Sequence, residues 1–224
     1  MDLTVPVALA RQLRNEFERW IARPEFPCLG ARAAVRQQRC SFHVYGPMGA
    51  PTTTTALADD LNLFVAGERT VPAFATFVAV FLDVMYESET AFESRLWEQL
   101  TQLNTIDSLQ LWDSTVNSDP THPQFAFSFA GCAFFVVGLY PGSSRFARRF
   151  SWPVLVFNPH AQFDQLRADG RFISLRDAIR RRDLALQGSP NPNLADFGER
   201  SEARQYSGRA TDNQWTCPFH PRKT

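Results

Sequence analysis

A chain of 224 residues with 44% apolar side chains can bury a substantial core and suits one large domain. Its 23 basic and 23 acidic residues cancel to a formal charge of zero, with a pI near 6.9. That balance argues against electrostatic attraction to nucleic acid or anionic lipid, so any anionic partner has to be held locally.

Cys28, Cys40, Cys132 and Cys217 form no C-x-x-C pair and have no histidine at zinc-ligand spacing. No window approaches the roughly 20 apolar residues of a membrane span, and no basic start precedes an apolar h-region. The expected setting is cytoplasmic, with reduced thiols. Twenty phenylalanines and five tryptophans predict an aromatic interior, suited to a flat apolar ligand and compatible with a homodimer.

Leu9, Leu13, Phe17 and Ile21, at four-residue steps, predict an amphipathic helix over 6–22 that ends before Pro24. PEFPCLG is irregular, and CSFHVY at 40–45 alternates like a strand, with Ser41, His43 and Tyr45 on its more polar face. Thr52 to Thr55 offer N-caps for a helix over 56–66 that Gly67 would stop. Phe74 to Phe81 reads as a buried strand. Residues 87–103 read as a helix with an acidic, serine-capped start and Phe92, Leu96 and Leu100 on its apolar stripe; Glu93 and Trp97 share another side and could reach a pocket. After a turn-rich stretch, the runs 125–129 and 132–140 flank Ala130-Gly131 as a tight hairpin.

The stretch SSRFARRFSWPVLVFNPH at 143–160 organises the chain. Val154 to Phe157 are consecutive β-formers, bounded by Pro153 and Asn158-Pro159, as in a strand covered on both faces. His160 falls just beyond the last paired residue. Arg145, Arg148 and Arg149, with Ser143 and Ser144, supply donors for phosphate or carboxylate oxygens. The same pattern also reads as arginines coating a solvated loop and a histidine hydrogen-bonded in a turn. Two helices follow, over 162–169 and 175–186. From Gly188 the polar tract GSPNPNLADFGERSEARQYSGR carries enough Leu, Phe and Tyr to predict a long ordered coil lying on the protein rather than a disordered tail.

The architecture expected for 1–224 is a single α+β domain, a largely antiparallel mixed sheet flanked by helices with a long ordered C-terminal coil, its strand order open. FHVYGPMG at 42–49, FESRLWEQL at 92–100, FSFAGCAFFVVGLYPGSSRFARRF at 127–150, VFNPHAQFDQLR at 156–167, and QGSPNPNLADFG, SEARQYSGR and WTCPF within 187–219 together resemble the YqcI/YcgG family. The resemblance implies a haem-dependent N-hydroxylase acting on the guanidino group of arginine, of an arginine-like compound or of a peptide in a natural-product pathway. Haem b (iron protoporphyrin IX) asks for an axial ligand, cations for two propionates and an aromatic slot. On that reading His160 is the metal ligand, with Cys217 of the Cys-Pro dipeptide as the alternative, and Arg145, Arg148, Arg149 and Ser144 hold the cofactor. His43 would ligate or assist at the distal side, and Glu93, Asp196 and Glu202 are the candidate carboxylates for a guanidinium. With no flavin or iron–sulfur motif in the chain, the oxidant would be O2 with an external electron donor, or H2O2. The alternative function is a non-catalytic haem-binding carrier or sensor.

Overall fold

The computed structural model describes residues 5–68, 74–82 and 86–221. Among these, seven helices surround one open five-stranded sheet in an α+β domain. The strands are β1 (Cys40–Tyr45), β2 (Thr76–Phe81), β3 (Phe127–Phe129), β4 (Cys132–Leu139) and β5 (Val154–Pro159), in the order β1-β2-β5-β4-β3. Only β1 and β2 run parallel; the other three pairings are antiparallel. β2 and β5 are central, which explains their unbroken apolar character: Phe77, Ala79, Phe81, Leu155 and Phe157 face one layer while Val78, Val80, Val154 and Val156 face the other.

One layer contains α3 (Pro51–Glu68), α4 (Glu89–Ile106), α7 (Ala203–Tyr206) and the C-terminal coil, packed through Leu57, Leu61, Phe92, Leu96, Leu100, Tyr206 and Phe219. The opposite layer contains α1 (Val7–Ala22) and α2 (Leu29–Arg36), packed through Leu13, Phe17, Trp20 and Ile21, with α5 (Ala161–Ala168) and α6 (Phe172–Gln187) beside them. Phe17, Trp20 and Phe150 form an aromatic knot, with Phe17 edge-on to Phe150 at 5.3 Å.

Most boundaries follow from local chemistry. Ser88 Oγ accepts the Ala91 N–H at 3.1 Å and caps α4. Ala130 (φ 53°) and Gly131 (φ 70°) both take positive φ, as a two-residue turn matched to the twist of β3 and β4 requires. α3 departs from its expected limits. It begins at Pro51, whose missing N–H costs nothing in a first turn, and the threonines expected to cap it lie inside it. Thr54 and Thr55 donate instead to the carbonyls of Ala50 and Pro51, each at 3.1 Å. Gly67 does not stop the helix but sits within its last turn. The piece after Cys28 is itself the helix α2, its first turn capped by the Cys28 thiol accepting from Ala31 N at 3.4 Å.

The polar tract is ordered, and its side chains explain why. Asn193 Nδ2 donates to the carbonyls of Arg204 (2.8 Å) and Arg209 (2.6 Å), while its Oδ1 accepts from Thr211 N (3.1 Å) and Oγ1 (3.0 Å). Arg204 donates to the Asp212 carbonyl at 2.7 Å and stacks on Trp215. Backbone groups that a loop leaves without ladder partners are met here by amide and guanidinium side chains.

Candidate functional site

The α1/α2 face of the sheet does not close over completely. Between Val78, Phe135, Val137 and Val156 on the sheet and Phe17, Trp20, Ala34, Leu166 and Ile179 on the helices lies a cavity of about 370 Å³, within the range of small-molecule sites. Its walls are mostly apolar and aromatic. Its polar lining includes His160, Asn158 and Thr76 from the sheet and β5's end, Glu202, Gln205, Asn191 and Asp196 from the coil, Arg148, Cys28 and Asp183, and Gln162, Arg167, Arg176, Arg180 and Arg200 on α5, α6 and the coil.

His160 stands where sequence places it, one residue past the last paired position of β5. Its N–H donates to the Ala133 carbonyl at 2.8 Å, and α5 starts on the next residue. Its ring is 5% exposed, edge-on to Phe197 at 5.0 Å and Phe163 at 5.9 Å. Nε2 lies 3.0 Å from Glu202 Oε2, and Nδ1 has no hydrogen-bond partner among the described residues. The neutral tautomer that satisfies this pair carries its proton on Nε2 and leaves the lone pair on Nδ1.

Glu202 joins the histidine to the sheet through Tyr206, one helical turn later. The Tyr206 hydroxyl is 2.6 Å from Glu202 Oε1, accepts the Phe127 N–H at 3.0 Å and reaches the Phe134 carbonyl at 3.1 Å. Phe127 and Phe134 face each other across β3 and β4, so the hydroxyl is spliced into that ladder. One phenol proton cannot serve both Phe134 O and Glu202 Oε1. In this geometry the phenol donates to Glu202 Oε1; protonation of Glu202 would free the phenol to donate to Phe134, with His160 donating to the second carboxyl oxygen. Burial pushes the Glu202 carboxyl above its ordinary value, against the opposing pull of His160 and Tyr206, and burial with the neighbouring Glu202 raises the Tyr206 phenol well above its own.

Of the arginine cluster only Arg148 reaches the cavity. Its guanidinium donates to the carbonyls of Gly138 (3.0 Å), Tyr206 (3.3 Å) and Gln205 (3.1 Å) and pairs with no carboxylate among the described residues. It is closely surrounded by protein yet keeps accessible surface because it borders the void. Burial lowers its pKa to about 10, against the pull of Asp183. The expectation that its neighbours share this role is not met. Arg145 is committed to Asp183 and the Ser189 carbonyl, Arg149 covers Phe146 at the surface, and Ser144 donates to Glu89. The segment turns sharply through a 3₁₀ turn at Phe146–Arg148, so adjacent arginines point to different environments.

Three further expectations are corrected by position. His43 projects into the α3/α4 layer, stacked on Phe77, and so lies across the sheet from the cavity. Glu93 does not line the cavity; it accepts from Arg209 Nε (2.9 Å) and Nη2 (2.6 Å) and from Ser207 Oγ (2.9 Å), and so fastens the coil to α4. Cys217 packs against the α3/α4 core and does not line the cavity, and burial raises its thiol to about 12, away from the thiolate a metal would need. Asp196 does line the cavity, where Arg176 and Arg180 each take one of its oxygens, the latter at 2.6 Å. Tyr206 was not singled out in the sequence. Its signal was the Glu202/Tyr206 spacing of four, which puts both on one side of a helical turn.

An α+β domain with an internal apolar cavity, one buried imidazole in its wall and cationic groups around it is the class of protein these features define. The chain belongs to the YqcI/YcgG family, whose model matches residues 17–220. It is similar to the "Uncharacterized protein YcgG" of Bacillus subtilis (strain 168), 28% identical over 205 residues, covering 87% of this chain and 80% of that protein. No solved structure matches it significantly.

The side chains around the void are of the kinds a haem would ask for. A flat apolar dianion meets an aromatic-walled void, a histidine with one ring nitrogen unengaged, a carboxylate-free guanidinium at Arg148, and Arg200, which has no ion pair or hydrogen bond among the described residues.

Proposed function

We propose that this protein is a haem b-dependent monooxygenase that N-hydroxylates the guanidino group of arginine, an arginine-like compound or a peptide in a natural-product pathway. The observation that carries the reading is the sharing of one apolar cavity by His160 and by Arg148, a guanidinium that no carboxylate neutralises. His160 would hold the iron, and Arg148 and Arg200 the propionates. When bound, haem supplies oxidation at nitrogen, drawing on O2 with an external electron donor or on H2O2. Glu202 fixes the His160 ring through Nε2, and Tyr206 fixes Glu202. Asp196, holding two guanidinium groups already, has the chemistry to receive a third in exchange. The setting proposed for the reaction is cytoplasmic, and no helix among the described residues is long and apolar enough to cross a membrane.

One observation favours a second reading, a non-catalytic haem carrier or sensor. Each candidate carboxylate is already engaged: Asp196 by Arg176 and Arg180, Glu202 by His160, Glu93 by Arg209. Hemin titration followed in the Soret region tests what the two readings share. Stoichiometric uptake is expected, with the spectrum shifted in His160→Ala, partly restored by added imidazole, and unchanged in Cys217→Ser. No uptake, or a normal spectrum in His160→Ala with a shifted one in Cys217→Ser, refutes the assignment. A spectral response to arginine-like compounds separates the hydroxylase from the carrier.

A further inference from the structure

β1 carries a second constellation on the side of the sheet away from the cavity. Ser41 and His43 are two residues apart and project to the same face, and Asp60 reaches them from α3. His43 Nε2 is 3.0 Å from Ser41 Oγ, and His43 Nδ1 is 3.1 Å from Asp60 Oδ2. With the Nδ1 proton given to Asp60, the Nε2 lone pair is left to accept the serine proton. This is the polarity that serine activation requires, and such a set is recognised by geometry and roles rather than by order in sequence.

The set is held in place. Tyr45 donates to the same Asp60 oxygen at 2.8 Å, and the His43 ring lies nearly parallel to Phe77, 13° apart with centroids at 4.8 Å. It is also reachable, because the His43 and Asp60 side chains keep about a third of their surface, 34% and 32%. Desolvation lowers the His43 pKa, against the pull of Asp60, and so favours the neutral ring with its lone pair open to a proton. Finally, β1 is the terminal strand. Its ladder runs from the Arg39 carbonyl to Thr76 N and from the Tyr45 carbonyl to Leu82 N, so by alternation the N–H of Phe42 faces away from β2. The residue after Ser41 thus offers a developing oxyanion an N–H with no hydrogen-bond partner among the described residues.

We propose that Ser41 is a nucleophile, with His43 as its base and Asp60 as a positioning residue, that hydrolyses small esters arriving from solvent. Ser41 Oγ bonds the acyl carbon while its proton passes to His43 Nε2 and then to the departing alkoxide, so the ester becomes an acyl-serine and an alcohol. A water molecule, giving one proton to the same nitrogen, then attacks the acyl carbon, and that proton passes on to the departing Ser41 Oγ, so the acyl-serine becomes a carboxylic acid and free Ser41 with His43 neutral again. No oxidant or reductant enters, and the haem reading plays no part.

The test uses the whole wild-type chain and a fluorophosphonate probe, with tandem mass spectrometry of the tryptic peptide 40–69. One adduct on Ser41 is expected, with p-nitrophenol release from p-nitrophenyl acetate. Labelling should slow by about 10²- to 10⁴-fold in His43→Ala, the usual worth of a positioned base, and vanish in Ser41→Ala. Absence of a Ser41 adduct in the folded wild type overturns the proposal. So does an adduct on another hydroxyl in its place, or one that forms equally fast in His43→Ala.

Discussion

Replacing Tyr206 by phenylalanine removes one oxygen from a fully buried ring and leaves the ring's packing against Trp97 and Phe135 intact. Three groups lose their partner: the Phe127 N–H, the Phe134 carbonyl and the Glu202 carboxyl, now at 3.0, 3.1 and 2.6 Å from that oxygen. A buried polar group left unpaired costs about 1–3 kcal/mol. If the β3–β4 ladder closes up so that the two backbone groups meet, only Glu202 is left unpaired; if it does not, all three are. A net loss of about 3 kcal/mol is expected, equivalent to about 6–12 °C in Tm for a chain of this size. Urea unfolding followed by far-UV circular dichroism measures it, read as a lower midpoint at constant slope. A loss below about 1 kcal/mol would mean that the hydroxyl contributes no more than an ordinary hydrogen bond, and the picture of a phenol spliced into the ladder would fail.

Glu202→Gln tests the protonation state. The folded carboxyl sits above the ordinary glutamate value near 4.5, so the protonated form stabilises the fold below that pH. The contribution is then lost as pH rises through the raised folded value, because the folded state binds the extra proton. The amide cannot ionise, so the stability of Glu202→Gln relative to wild type should rise from pH 4.5 upward; a difference that is flat or falling contradicts the shift. Arg209→Ala should loosen the coil. With the Glu93 carboxylate left buried and losing two charge-assisted bonds, about 2–3 kcal/mol is expected, along with faster amide exchange across 193–217 than in α4. Uniform exchange across both segments would show that the clasp does not hold the coil.

Periodicity carried the elements. The four-residue steps of α1 and α4, the alternation of β1 and the paired positive-φ turn at Ala130-Gly131 are local properties of the backbone, legible without neighbours. His160 also falls one residue past β5, but Asn158-Pro159 is not the stop that local sequence suggests: both residues stay paired with β4, because Pro159 sits where its missing N–H is not needed by the ladder and the His160 N–H makes the next bond to the Ala133 carbonyl. α3 departs from its expected limits because a threonine hydroxyl serves equally well as a cap or as a donor to the carbonyl four residues back, and only Pro51 in the first turn decides between them.

What lies around His160 was decided by tertiary structure alone. Its partner Glu202 is 42 residues away, and Arg145 finds Asp183 across 38 residues. Both pairings depend on where the coil and α6 dock. Among Arg145, Arg148 and Arg149, all of one residue type within five positions, a single 3₁₀ turn sends one guanidinium to the cavity and the others to an aspartate and to the surface. Strand order belongs with these, since the apolar runs of β2 and β5 show that both are central without showing that they are neighbours. Local sequence fixes backbone preference and facing. Charge pairing and cavity walls arise only where segments distant in the chain are brought together, and the free energy that brings them there is spread over the whole core.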